Sequence, residues 1–293
     1  MSALPEPPES SAFSASPSEE FPPLTPAVAK KLDQAVQQVM RDARVPGVSV
    51  GLWVPGKGSY VRAFGVADKS SGAPMSAGLN MRVGSVTKTF TVTALLTLVD
   101  QGKVGGLVVE KASGRPLADY LERNVFEPAG MNHTFLPRTA AFPAPHAQGY
   151  TDQTATGRTG NATYWNPSWA WAAGGAISDQ RDLRTWARVL ATGTLLSPAT
   201  QAERLKTAPS NLPDTGYGLG IFDAHGWIGH NGSLPGYEAL AIYLPEAKAT
   251  LVVLLNTDTD HRGSEPSTLF GEAITRVVTP QHVYSLPAQP AAK

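Results

Sequence analysis

The 293-residue chain has no cysteine, which excludes disulfides, thiolate nucleophiles and cysteine-held metals. Charge is scarce as well. Asp, Glu, Lys and Arg make up 16% of the residues and the formal net charge is zero, so nothing electrostatic points to nucleic acid or an anionic membrane as partner. No run is long and apolar enough to cross a bilayer. Lysine and arginine are missing from the opening stretch "MSALPEPPESSAFSASPSEEFPPLT", which also lacks an apolar h-region. Its Pro, Ser and Glu content predicts a disordered leader over 1–24 rather than a signal peptide. As written, the chain is expected in the cytoplasm, although a thiol-free chain is indifferent to redox compartment and export stays open. The tail 284–293, with "SLPAQPAAK", is expected to be loose. Residues 25–283 remain as a single domain suited to a small-molecule or peptide substrate.

Thr25-Pro26 opens an amphipathic helix with Val28, Leu32, Val36, Val39, Met40 and Ala43 at helical spacing, ending before Pro46. The alternation of Val48, Val50, Leu52 and Val54, then "PGKG" and a second β-rich run from Tyr60 to Val66, predicts a hairpin. Ser85 to Gln101 reads as a helix stopped by Gly102, followed by short helices in "LVVEKASG" and "PLADYLERNVFEP" and another in "DLRTWARVLATG". The final third returns to strands in "YGLGIFDA", "GWIGHNGS", "YEALAIYLP" and "TLVVLLNTD", with a last helix over about Pro266 to Val277. Strands from both ends with helices between them predict an α+β sandwich, an antiparallel sheet with helices on its faces.

The chemistry concentrates in "RVGSVTKTFTV", where Ser85 stands three residues before Lys88 at a helix start. A serine hydroxyl must lose its proton to a neighbour as it attacks, and residues three apart on a helix face the same way. A buried lysine has a lowered pKa and can take that proton. The free N–H of Ser85 supplies half of an oxyanion hole, and an edge strand carrying "GWIGHNGSLPGY" suits the other half. Gly229 and Gly232 there permit close approach, His230 handles protons and the Ser233 N–H can point inward.

Ser85-Val86-Thr87-Lys88 before a long helix, with His230-Asn231-Gly232 on a late strand, resembles the serine β-lactamase and DD-peptidase superfamily. The likeness is to its class C β-lactamase, DD-carboxypeptidase and related esterase branch, and it covers roughly residues 27–278. "GVSVGLWVPG", "VVEKASGRPLADYLERNVFEPAGMNHTF", "WAAGGAISDQRDLRTWARVL" and "YGLGIFDAHGWIGHNGSLPGY" follow in the family's order. The resemblance implies a β-lactamase/transpeptidase-like fold and an acyl-enzyme hydrolase of an ester, amide or β-lactam carbonyl. Ser85, Lys88 and His230 would be catalytic, with Asn231, Gly232 and Ser233 at the substrate and oxyanion side and no cofactor. Family members are often extracytoplasmic.

One departure stands out: "LVDQGKV" runs directly into "GGLVVEK", so by comparison with the family a helical insertion bearing a Tyr-x-Asn motif is absent between Val104 and Gly105. The site is then incomplete and the activity impaired, and the alternative is a non-catalytic or decayed penicillin-binding-like protein. Helix 85–101 is expected to expose the apolar face that the insertion would cover, and to favour self-association. Tyr164-Trp165-Asn166 matches the tyrosine motif in letters only and reads as packing. Trp165, Trp169 and Trp171 either line an apolar pocket or plug the space beneath the site. His133 reads as packing and His225 as solvated. No histidine or carboxylate spacing predicts a metal. The strand carrying His230 has no cation for a substrate carboxylate, favouring a neutral ester or amide unless Arg204 or Lys206 folds in.

Overall fold

The computed structural model describes residues 21–103, 109–209 and 215–286. Counting only strands of the main sheet and helices of seven or more residues, the chain runs through α1 (Pro26–Ala43), β1 (Gly47–Val54), β2 (Gly58–Gly65), α2 (Val86–Asp100) and α3 (Gln180–Thr192). It continues through α4 (Pro198–Arg204), β3 (Ala208–Pro209), β4 (Thr215–Tyr217), β5 (Phe222–Ala224), β6 (Trp227–Leu234), β7 (Tyr237–Leu244), β8 (Ala249–Leu255) and α5 (Pro266–Val278). The eight strands form one antiparallel sheet in the order β2-β1-β8-β7-β6-β5-β4-β3. The first hairpin therefore pairs with the last strand, as the split β pattern predicts.

The two-residue period of the strands sorts their side chains between two cores. Val48, Val50, Leu52, Leu240, Ile242, Leu251 and Val253 meet Leu32 and Val36 of α1 and Phe270 and Ile274 of α5. Ala239, Ala241, Val252 and Leu254 face the other way, onto Phe90, Ala94 and Leu98 of α2 and Leu183, Trp186 and Leu190 of α3. The terminal helices thus cover one face of the sheet, and α2, which Ser85 opens, lies in the other layer.

Three expectations change, two of them at the boundaries. Residues 21–24 belong to the fold rather than to a leader: the Leu24 N–H donates to Ser59 O at 2.8 Å, Ser59 N–H donates to Pro22 O at 2.7 Å, and Leu24 is buried. Tyr284 is fully buried rather than loose, packed where a Cβ on Gly271 would strike its ring. In both cases an apolar side chain inside a Pro-rich stretch finds the core. Helix α2 has no uncovered apolar face, since Val86, Phe90, Ala94, Leu96 and Leu98 are buried all round it and only Val99 is exposed among its large hydrophobics. The expected route to self-association is therefore gone. The join at 104 and 105, residues 1–20 and residues 287–293 lie outside the described residues. Among those described, no helix is long and apolar enough to cross a membrane.

Candidate active site

Ser85 occupies the N-cap of α2 but does not cap it. A serine there ordinarily accepts an N–H of the first turn, a bond worth about 1 kcal/mol. Here the Oγ meets Lys88 Nζ instead, at 2.5 Å. Nζ also donates to the Ala173 carbonyl at 3.3 Å, and burial lowers the pKa of the amine. The Ala173 carbonyl is held in place by threonines on either side of Lys88. Thr87 Oγ1 accepts the Ala176 N–H at 3.0 Å, and Thr91 Oγ1 donates to Ala172 O at 2.7 Å.

Strand β6 passes the helix start as half an edge. Residues 227–229 pair with β5, whereas 230–234 pair only with β7. Two glycines let this free half approach Ser85. A Cβ on Gly84, which sits at φ +50, would lie 2.6 Å from Ser233 N. One on Gly232 would lie 2.1 Å from Val83 O and 2.7 Å from Ser85 N. The backbone nitrogens of Ser85 and Ser233 therefore both lie close to this crossing, the placement that an oxyanion hole would need.

His230 stands beside this crossing and is 7% exposed. Its Nδ1 lies 2.5 Å from Asn231 O and its Nε2 lies 2.9 Å from the Tyr217 hydroxyl. Burial, with a smaller push from the Lys88 charge, brings its pKa down to about 4, against the pull of the Asn231 carbonyl. The ring is neutral at pH 7. Asn231, on the opposite face of the strand, donates to Glu265 Oε2 at 2.5 Å ahead of α5, so it anchors β6 rather than facing the serine.

The remaining candidates fall elsewhere. The Tyr164 hydroxyl meets His146 Nε2 at 3.4 Å, and Asn166 caps Ser168. Trp165, Trp169 and Trp171 are 42%, 73% and 45% exposed, so they do not plug the space beneath the site. Arg204 is fully buried, bonded to Thr93 of α2, and Lys206 pairs with Glu203 on the surface, so neither is free to hold a carboxylate. His133 Nδ1 meets Asp179 at 2.7 Å, and the pair with Asp182 forms the one three-ligand grouping among the described residues. Its carboxylates already accept the N–H groups of His133 and Asp182 and the Thr134 hydroxyl. His225 is not simply solvated: its Nε2 meets Ser285 Oγ at 3.2 Å. Sequence reasoning missed Tyr217, whose signal was the Tyr-Gly-x-Gly turn just ahead of β5.

The profile of the Beta-lactamase family matches residues 32–105 and 104–270. Over 72 residues the chain is 39% identical to a beta-lactamase of Lysobacter lactamgenus, covering 25% of this chain and 18% of that enzyme. Over 78 residues it is 35% identical to esterase EstB of Burkholderia gladioli, covering 27% of this chain and 20% of the esterase. The chain thus aligns with about a fifth of the length of these curated relatives. In structure it is similar to a D-stereospecific amidohydrolase from Streptomyces sp., with a TM-score of 0.73 at 21% identity over 86% of this chain and 99% of that one.

Proposed function

We propose that this chain, which belongs to the beta-lactamase family, hydrolyses a neutral ester or amide carbonyl through an acyl-enzyme on Ser85. The observation that carries the reading is the 2.5 Å contact between Ser85 Oγ and the buried Lys88 amine. Neutral Lys88 accepts the hydroxyl proton as Oγ bonds to the carbonyl carbon. The carbonyl π electrons move onto oxygen, where the N–H groups of Ser85 and Ser233 receive the charge. Collapse expels the leaving group, which takes a proton back, and water then releases the acid from Ser85. Neutral His230 adds no charge beside Lys88, so it is burial that lowers the amine's pKa and leaves part of it unprotonated. That neither Arg204 nor Lys206 is free supports a neutral substrate over a C-terminal carboxylate.

Turnover is expected to be slow. Among the described residues, Ser85 Oγ has one side-chain partner, Lys88, and no second hydroxyl shares its proton. The two-part family match, meeting at residues 104–105, supports a missing segment at that join.

The test is time-resolved intact mass with p-nitrophenyl butyrate and a fluorophosphonate, on wild type and Ser85→Ala. Nitrophenol release with a single fluorophosphonate adduct, both lost in Ser85→Ala, is the expected result. A stable adduct without turnover would favour the non-catalytic alternative, and labelling that persists in Ser85→Ala would end the proposal.

A further inference from the structure

Strand register, rather than sequence proximity, brings Tyr217 to His230. Tyr217 pairs with Phe222 in the β4–β5 ladder, and Phe222 pairs with Gly229 in the β5–β6 ladder, so the tyrosine lies in a row beside His230. The turn between β4 and β5 sits tightly on the neighbouring helices. A Cβ on Gly218 would strike Arg204 O at 2.3 Å, and one on Gly220, at φ +71, would strike Val92 at 2.7 Å. The Tyr217 ring stands perpendicular to the imidazole, at 5.8 Å between centroids and 89° between planes.

The hydrogen bonds of His230 admit one proton arrangement. Its Nδ1 faces a backbone carbonyl, which only accepts, so Nδ1 carries the hydrogen. In a neutral ring Nε2 then has a lone pair and no proton, so the Tyr217 hydroxyl donates to it. We propose that Tyr217 is a positioning residue of this site: by donating to Nε2 it fixes His230 as the neutral Nδ1–H tautomer and leaves its own phenol oxygen, an acceptor, at the mouth of the site. No imidazole N–H is then left over for a substrate. Tyr217 is 41% exposed while His230 is nearly covered, which puts the phenol between the ring and solvent. The groups facing the imidazole are Lys88 from α2, the Tyr217 hydroxyl from β4, the Phe222 ring from β5 and the Asn231 carbonyl from β6 itself. Of these groups only Lys88 carries a charge.

This inference rests on the proposed function for its catalytic meaning, but its test reads the resting protein. The chain has 6 histidines, so long-range nitrogen–proton correlation spectra of histidine-labelled protein are tractable, with His230→Gln giving the assignment. The expected wild-type spectrum shows His230 protonated at Nδ1 and bare at Nε2, unchanged between about pH 8 and pH 5. In Tyr217→Phe the nitrogen shifts of His230 should move, and its titration midpoint should rise by about one pH unit, because a donor favouring the neutral form is gone. If the enzyme turns over, the acidic limb of kcat/KM should move with that midpoint. A wild-type Nε2–H tautomer, or a His230 signal and midpoint untouched in Tyr217→Phe, would overturn the assignment. Absence of hydrolysis in wild type would instead count against Ser85 chemistry and leave the tautomer result standing.

Discussion

Lys88 has two acceptors within reach, one reactive and one structural. The Ala173 carbonyl holds the amine in place, and in the proposed mechanism the serine hydroxyl passes its proton to it. Arginine cannot accept that proton because it stays protonated. Lys88→Arg is expected to slow acylation by fluorophosphonate about 10²–10⁴-fold while leaving the circular dichroism unchanged; near wild-type labelling would assign the proton to another group. Gly232→Ala should be as damaging through geometry alone. Its Cβ would sit 2.1 Å from Val83 O, so β6 must lift away from Ser85 and the two amides part. Loss of labelling of at least about 10²-fold is expected, with a lowered Tm, and retention of both would show that the amides do not need this approach. The Ser-x-x-Lys spacing and the glycines of "GHNG" made this much legible in the sequence, because local offsets dictate it. The Tyr-Gly-x-Gly turn could have marked Tyr217, but its partner could not be read, since register across three strands fixes it. The burial of Arg204 was not legible either, because a short helix places it against α2.

At the scale of elements, α2 is unusual for its threonines. Thr87, Thr89, Thr91, Thr93 and Thr97 are mediocre helix formers, yet each hydroxyl bonds a different neighbour. Thr89 Oγ1 accepts from the Trp186 indole at 2.7 Å, and Thr97 meets the Tyr120 hydroxyl at 3.1 Å. The helix is therefore riveted on all sides, as its position inside a core layer demands. The sequence showed the helix and its stop at Gly102 but not this wiring. On the opposite face, fully buried Glu238 accepts the Ser267 N–H at 2.7 Å at the start of α5, with its other oxygen unpartnered. Burial, then the nearby Glu265, raises its pKa well above the ordinary value. The folded chain therefore holds this proton more tightly than the unfolded chain. The associated stability is complete below the unfolded pKa of about 4.5 and is lost as pH rises toward the folded value. Glu238→Gln, which cannot ionise, should gain Tm relative to wild type as pH goes from about 5 to 8. A difference constant with pH would show that Glu238 does not titrate in this window.

On the scale of the molecule, the sequence disclosed the split sheet because β patterns at both ends lacked partners of their own. It misjudged where apolar surface would be left uncovered. That surface lies at Tyr164, Trp165, Trp169 and Trp171, not on α2, because whether a helix is covered depends on its neighbours and not on its own pattern. Placing a relative's helical insertion between Val104 and Gly105 is expected to raise p-nitrophenyl butyrate and nitrocefin hydrolysis about 10²–10⁴-fold. Equal rates with and without it would mean that some other group already shares the serine's proton. The pairing of β1 with β8 has a further consequence, for synthesis. Val48 meets Leu255 across about two hundred residues of chain, so the centre of the sheet cannot close until its last strand has left the ribosome. Until then β1 and β2 form a bare hairpin with an unpaired apolar edge, which is marginal in water. Folding should therefore be slow and late, and nascent chains stopped short of residue 249 should need a chaperone to stay dispersed.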